Sequence, residues 1–217
     1  MSEDQKSRTK NFIYCKLILV GDSGVGKTCM INRYLKKYNP DVPATLSTSY
    51  YTKLETINNC EIHFQIWDTV GQEQYRSLNT LFFKDANICI IVYDITREES
   101  FNNIKDYWYE SVMTNGVEGI ICGIAGNKND LIEYEKVNRD EVKDFCEEID
   151  VVHKFTSAKY NFCIDELFKE LGKKFICSEY MKQTLMNYFN WDKEEKSFSL
   201  GKTKKNKNNS KDKMSCC

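Results

Sequence analysis

The 217-residue sequence predicts an α/β protein: a three-layer sandwich with a mostly parallel six-stranded sheet, one antiparallel edge strand and helices on both faces. Three observations lead there. Short apolar runs alternate with segments of helical spacing, the pattern that covers a parallel sheet with helices on both sides. Two alternating runs, Tyr50–Ile57 and Glu61–Trp67, are joined at Asn58-Asn59, which reads as a hairpin and supplies the antiparallel edge. A glycine-rich octet, Gly21–Thr28, lies between an apolar run and an amphipathic one.

In chain order, Phe12–Val20 reads as a buried strand and Cys29–Lys37 as an amphipathic helix. Tyr38–Ser49 is polar, carries both prolines, Pro40 and Pro43, and reads as a mobile loop. After the hairpin, Val70–Thr80 reads as a polar loop running into a short helix. Asn87–Tyr93 is an apolar strand and Ser100–Met113 a helix; Gly119–Ala125 is the next strand and Arg139–Glu148 a helix of mixed charge. Val151–Phe155 is a short strand. Ile164–Tyr180 closes the series as a helix with Leu167, Phe168, Leu171 and Phe175 on one face. The expected organisation is a flexible 1–11, one globular domain over 12–180, a segment 181–192 that either extends the last helix or docks on the body, and a disordered tail over 193–217.

Composition narrows the function. The formal net charge of −1 conceals a basic end: residues 202–217 hold six lysines against one aspartate, which leaves about −6 on the rest. An acidic body is expected to bind no nucleic acid. The ten cysteines are scattered, with no CxxC pair and only two histidines, so no zinc site is expected and the thiols read as reduced, mostly core residues, with Cys216 and Cys217 the exception. Met1–Asn11 is polar, and no apolar run reaches the ~18 residues of a membrane span. Cytosolic residence is the expectation.

Gly21-Asp22-Ser23-Gly24-Val25-Gly26-Lys27-Thr28 fits a phosphate-binding loop, two glycines five apart followed by Lys and a hydroxyl residue. Its glycines let the backbone turn tightly with amide N–H groups aimed at a polyphosphate, and the helix behind adds its positive dipole end. Lys27 is positioned for the β- and γ-phosphates, and the Thr28 hydroxyl for Mg²⁺. The strand, loop and helix order makes this a P-loop sandwich.

Further motifs follow later strands. They are Trp67-Asp68-Thr69-Val70-Gly71-Gln72-Glu73, Asn127-Lys128-Asn129-Asp130 and Thr156-Ser157-Ala158-Lys159. In this order and spacing the chain resembles the small GTPases of the Ras superfamily over about residues 12–178. The Rab branch is the nearest, given Trp67 before Asp68, Val92-Tyr93-Asp94-Ile95-Thr96, Ser100-Phe101-Asn102 and the terminal Cys216-Cys217.

The resemblance implies GTP and GDP as bound nucleotides and Mg²⁺ as cofactor. The Asp130 carboxylate would accept two hydrogen bonds from guanine, a donor pair that adenine lacks. Asn127 would brace the loop, the Lys128 stem would lie over the base, and the Ala158 amide, supported by Ser157 and Lys159, would meet the guanine oxygen. Asp68 would hold Mg²⁺ through water, the Gly71 amide would reach the γ-phosphate, and Gln72 would orient the attacking water. Family spacing puts the Mg²⁺-binding switch threonine at Thr45, with Thr48 the alternative. Tyr38 is the candidate to flank guanine, the alternative being an aromatic packed under the loop. Val70 replaces the family's usual alanine, and Thr45-Leu46-Ser47 lacks its glycine. Tyr50, Trp67 and Tyr75 would form an apolar patch over the switches.

Cys216-Cys217 resembles the double-cysteine ending that receives two geranylgeranyl groups, and Lys202, Lys204, Lys205, Lys207, Lys211 and Lys213 would favour anionic lipid. The implied partners are effectors, an exchange factor, a GTPase-activating protein, a GDP-dissociation inhibitor and a prenylation escort protein. The implied location is the cytosol and the cytoplasmic face of a vesicle, endosome or Golgi membrane, with the chain a monomer. No arginine stands out as a finger in cis, so a low intrinsic GTPase rate is expected. Two other classes stay open: a nucleotide-holding module that hardly hydrolyses, and a small P-loop ATPase or kinase.

Overall fold

The computed structural model describes residues 13–39, 45, 48–69 and 81–184. Among the described residues, six strands form one sheet in the order β2-β3-β1-β4-β5-β6: β1 (Ile13–Val20), β2 (Ser49–Ile57), β3 (Cys60–Asp68), β4 (Ile88–Asp94), β5 (Ile121–Asn127) and β6 (Val152–Phe155). Only β2 runs antiparallel, against β3, and it lies at the edge. The remaining neighbours are parallel. The expected fold class is the observed one.

Strands buried on both faces explain the continuous apolar runs. In β1, Ile18 and Val20 join Cys89, Ile91 and Tyr93 of β4 in a cluster covered by α2 (Glu98–Asn103), a π-turn (Ile104–Trp108), α3 (Tyr109–Asn115) and α4 (Arg139–Glu148). On the opposite face α1 (Lys27–Tyr34) packs on β3 and on α5 (Ile164–Ile176), which also packs on β5, β6 and β2. Tyr34 stacks on Phe168 at 3.9 Å between ring centroids and ties α1 to α5.

Several boundaries differ from expectation. The α1 helix stops at Tyr34 because Lys36 adopts φ 59°, a left-handed turn that a helix cannot continue. β5 begins and ends two residues later than expected, since parallel register with β4 carries it to Asn127, opposite Asp94. The single helix expected over Ser100–Met113 is three pieces around the π-turn. The last helix of the domain ends at Ile176 rather than Tyr180; a second unit starts at Cys177, and its residues 179–184 are helical.

Register decides where the loops open. Leu19 pairs with Asp68, Val20 with Ile91, and Asp94 with Asn127. The carboxyl ends of β1, β3, β4 and β5 therefore release their loops along one rim, where parallel sheets place ligands.

Candidate functional site

The loop after β1 wraps the Lys27 side chain. Its ammonium donates to Gly21 O at 2.8 Å and Asp22 O at 2.9 Å and is only 6% exposed. Burial pushes the amine down to about 8, against the pull of Asp68 and Asp22. A polyphosphate arriving there meets a cation already stripped of water, where charge attraction is strongest. Gly26 carries φ 99°, and a Cβ on it would stand 2.3 Å from Asn127 Nδ2. Glycine is therefore required both for the turn and for the approach of the loop after β5.

Beside Lys27, three oxygens converge. The Thr28 hydroxyl donates to Asp68 Oδ2 at 2.6 Å, and its oxygen lies 2.7 Å from Thr45 Oγ1. Asp68 is 1% exposed, and its Oδ1 has no hydrogen-bond partner among the described residues. Burial raises the Asp68 carboxyl, while the Thr28 hydrogen bond and Lys27 pull it down. A buried carboxylate oxygen left over beside two hydroxyls is a hard-oxygen donor set and fits Mg²⁺. Between the two threonines considered for this role, Thr45 is the one whose hydroxyl meets Thr28.

The base side is built on Asn127, 2% exposed. Its Nδ2 donates to Val25 O at 2.8 Å, and its Oδ1 accepts from the Ala158 N–H at 3.3 Å and the Thr156 hydroxyl at 3.4 Å. One side chain thus joins the phosphate loop to the loop after β6. Lys128 takes the left-handed conformation, φ 64°, which turns the chain so that Asp130 receives the Ser157 hydroxyl at 2.5 Å. The Lys128 ammonium pairs with Asp94 Oδ2 at 2.6 Å. Burial pushes the Asp94 carboxyl up, but the bonds from Lys128 and Thr96 together outweigh it and hold it below the usual carboxylate range.

Several participants carried no motif. Arg33 in α1 donates to Ala158 O at 2.6 Å and Lys159 O at 2.5 Å, and its guanidinium lies 3.8 Å from the Tyr38 ring centroid. One face of Tyr38 is thereby stacked on a cation. Arg97, which no motif marks as an arginine in cis, donates to Ser23 O at 2.9 Å with its Nε 3.8 Å from Asp94. Asp94 lies within Val92-Tyr93-Asp94-Ile95-Thr96, one of the runs that carry the family resemblance; Arg33 offers no such signal.

On β2 and β3, Tyr50 meets Trp67 edge-on at 5.0 Å, and Trp67 meets Phe82 at 5.9 Å. Phe82 thus joins the row in addition to the expected residues. Tyr50 is 47% exposed, so the aromatic row opens outward. Val70, Gly71, Gln72 and Tyr75, Leu46 and Ser47, and the lysines and cysteines of the tail lie outside the described residues. No helix among the described residues is long and apolar enough to cross a membrane.

A phosphate loop, an oxygen cluster and a carboxylate-bearing base loop on one rim of this sheet define a P-loop nucleotide-binding protein of the GTPase type. The Ras family model matches residues 16–177. The chain is 38% identical to human (Homo sapiens) Ras-related protein Rab-22A, covering 73% of this chain and 82% of that protein. It is 36% identical to human Ras-related protein Rab-30, over 79% of this chain and 84% of the relative. With Ras-related protein Rab5 of Nicotiana tabacum the identity is 34%, over 77% and 84%. The chain belongs to the Ras family, as a Rab-like small GTPase.

Proposed function

We propose that this chain is a membrane-anchored, GTP-dependent switch that recruits effectors in vesicle-mediated transport. The observation that carries the reading is the meeting of Thr28, Thr45 and Asp68, which brings the fixed phosphate loop, a switch loop and a strand end to one point.

In the proposed reaction water attacks the γ-phosphorus of GTP, the bond to the β–γ bridging oxygen breaks, and GDP and phosphate leave. The Lys27 ammonium would hold the β- and γ-oxygens, exchanging its carbonyl partners for phosphate. Thr28, Thr45 and Asp68 would hold Mg²⁺, which when bound neutralises charge on the phosphates. The Gly71 amide would fix the γ-phosphate and Gln72 would orient the water. Asp130 would read guanine, with Asn127, Ser157, Ala158 and Lys159 shaping its pocket. Loss of the γ-phosphate releases the Thr45 and Gly71 loops, and with them the face around Tyr50, Trp67 and Phe82 that an effector would read.

Arg97 lies on the phosphate loop but is engaged by Ser23 O, so an activating protein would supply the missing group for fast hydrolysis. An exchange factor would reset the cycle. Geranylgeranylation of Cys216 and Cys217, through an escort protein, would provide two anchors, and a GDP-dissociation inhibitor would shuttle the chain between cytosol and membrane.

Single-turnover GTP hydrolysis by the wild type and by Gln72→Leu is the test. A wild-type rate well above that of Gln72→Leu is expected; equal rates would leave a nucleotide-holding module, the alternative that Val70 and Ser47 keep open. Asp130→Ala should abolish the preference for GTP over ATP. Imaging the tagged chain with and without Cys216 and Cys217 tests the anchor, and a diffuse signal in both cases would remove it.

A further inference from the structure

The helical stretch after β4 is interrupted in an informative way. Across Ile104–Trp108 the backbone makes a π-turn, in which the Tyr109 N–H donates to Ile104 O five residues back. Such turns are rare and recur at functional sites. No glycine or proline lies in the segment to force one.

The geometric consequence concerns side chains five apart. At 3.6 residues per turn, such positions lie about 140° apart around an α-helix and cannot grip one small group. Widening a single turn brings them round to a common side. Asn103 and Trp108 are such a pair, and both reach Asp22 of the phosphate loop. Asn103 Nδ2 donates to Asp22 Oδ2 at 2.7 Å, and the Trp108 indole Nε1 donates to Asp22 Oδ1 at 2.9 Å. Trp108 is fully buried in the core cluster, so its indole is held by packing on all sides. Asp22 in turn offers its backbone carbonyl to the Lys27 ammonium at 2.9 Å.

We infer that Asn103 and Trp108, aligned by the π-turn, are positioning residues for the nucleotide site. They clamp Asp22 and so fix the loop carbonyls and Lys27 in the arrangement that receives phosphate. Gly21, Gly24 and Gly26 make this loop free to bend, and a loop of that kind keeps one shape only if something outside it supplies an anchor. The anchor here belongs to the helical layer, more than 80 residues away in sequence. The inference rests on the nucleotide reading above.

The test is the rate at which the full-length chain, with Mg²⁺ present, releases a fluorescent GDP analogue. Wild type, Trp108→Phe, Asp22→Ala and the double variant complete a cycle. Trp108→Phe keeps an aromatic ring and removes the N–H; it should release GDP roughly five- to twenty-fold faster. The double variant should release no faster than the faster single one. Asn103→Leu serves as a second break of the clamp and should move the rate in the same direction. With Trp67 and Trp191 changed to Phe, emission from Trp108 should shift when GDP leaves, and Asp22→Ala should abolish the shift. Effects that multiply in the double variant would overturn the inference, as would wild-type release rates from Trp108→Phe and Asn103→Leu alongside lowered melting temperatures. A wild type that holds no GDP would instead overturn the nucleotide reading, and this inference with it.

Discussion

Replacing Gly26 by alanine strikes the point where the phosphate loop touches the base loop. A Cβ there stands 2.3 Å from Asn127 Nδ2 and needs an L-residue at φ 99°. Relief requires Asn127 to swing away from Val25 O, now at 2.8 Å, and from the Ala158 N–H. At 2% exposure, the displaced amide finds no water to replace those partners. Backbone strain costs on the order of 1–3 kcal/mol, and the stranded polar groups about 1–3 kcal/mol more. Gly24 provides the comparison, because it shares the left-handed conformation at φ 75° but has nothing within 4 Å of a Cβ. Gly24→Ala should therefore show the strain alone. The difference between them corresponds to roughly 5- to 150-fold weaker GDP binding by Gly26→Ala than by Gly24→Ala. Equilibrium titration with a fluorescent GDP analogue measures it, and denaturant unfolding of both variants separates the folding contribution. Adding Asn127→Ala removes the obstructing amide, so the two changes should combine sub-additively. Equal GDP affinities for the two glycine variants would refute the reasoning.

Three other perturbations have directions set by the structure. Arg33→Lys keeps the charge but loses the fork that spans Ala158 O and Lys159 O and the stack on Tyr38; GDP release should quicken by about 5- to 30-fold, equivalent to 1–2 kcal/mol, in a stopped-flow chase. Asp94→Asn leaves an acceptor for Thr96 but strips the Lys128 ammonium of its counter-charge; GDP affinity by calorimetry should fall about tenfold, on the scale of one lost charged hydrogen bond. His153 is held near 4 by burial, with Lys154 and Arg139 adding to the effect, against 6.5 for a free imidazole. The unfolded chain then takes up a proton that the folded chain refuses. Stability from this group is complete above pH 6.5 and declines as pH falls toward 4, by at most about 3 kcal/mol. Thermal melts across that window should slope for the wild type and flatten for His153→Phe.

Legibility followed the locality of each feature. Leu17–Val20 and Ile88–Val92 read as strands because strands buried on both faces need no alternation. The ends of β5 were obscured because Gly123, Ala125 and Gly126 dilute its apolar run, whereas its true limits come from pairing with β4. The π-turn was invisible for a different reason. Phe101, Ile104, Trp108 and Val112 recur at intervals of three and four, which one unbroken helix would also produce. Residues inside contiguous motifs, such as Lys27, Thr28, Asp68 and Asn127, could be singled out because spacing along the chain carries their roles. Arg33 could not, since its partner carbonyl lies 125 residues onward.

That contrast has a consequence for how the site works. The residues of the phosphate and base motifs are held from outside those motifs: Asp22 by Asn103 and Trp108, Lys128 by Asp94, and the Ala158–Lys159 carbonyls by Arg33. The supports come from the helical layer after β4, from the end of β4 itself and from α1, so each couples nucleotide binding to a different part of the core. Thr45 stands apart. Among the described residues its hydroxyl meets the site only through Thr28, with no buried anchor of the kind that fixes Asn127. Whatever binds between Thr28, Asp68 and the phosphates therefore acts directly on that one contact. The proposed switch requires such a difference in anchoring: Thr45 answers to the bound ligand, whereas Asn127, Lys128 and Asp22 are held by partners in the fold.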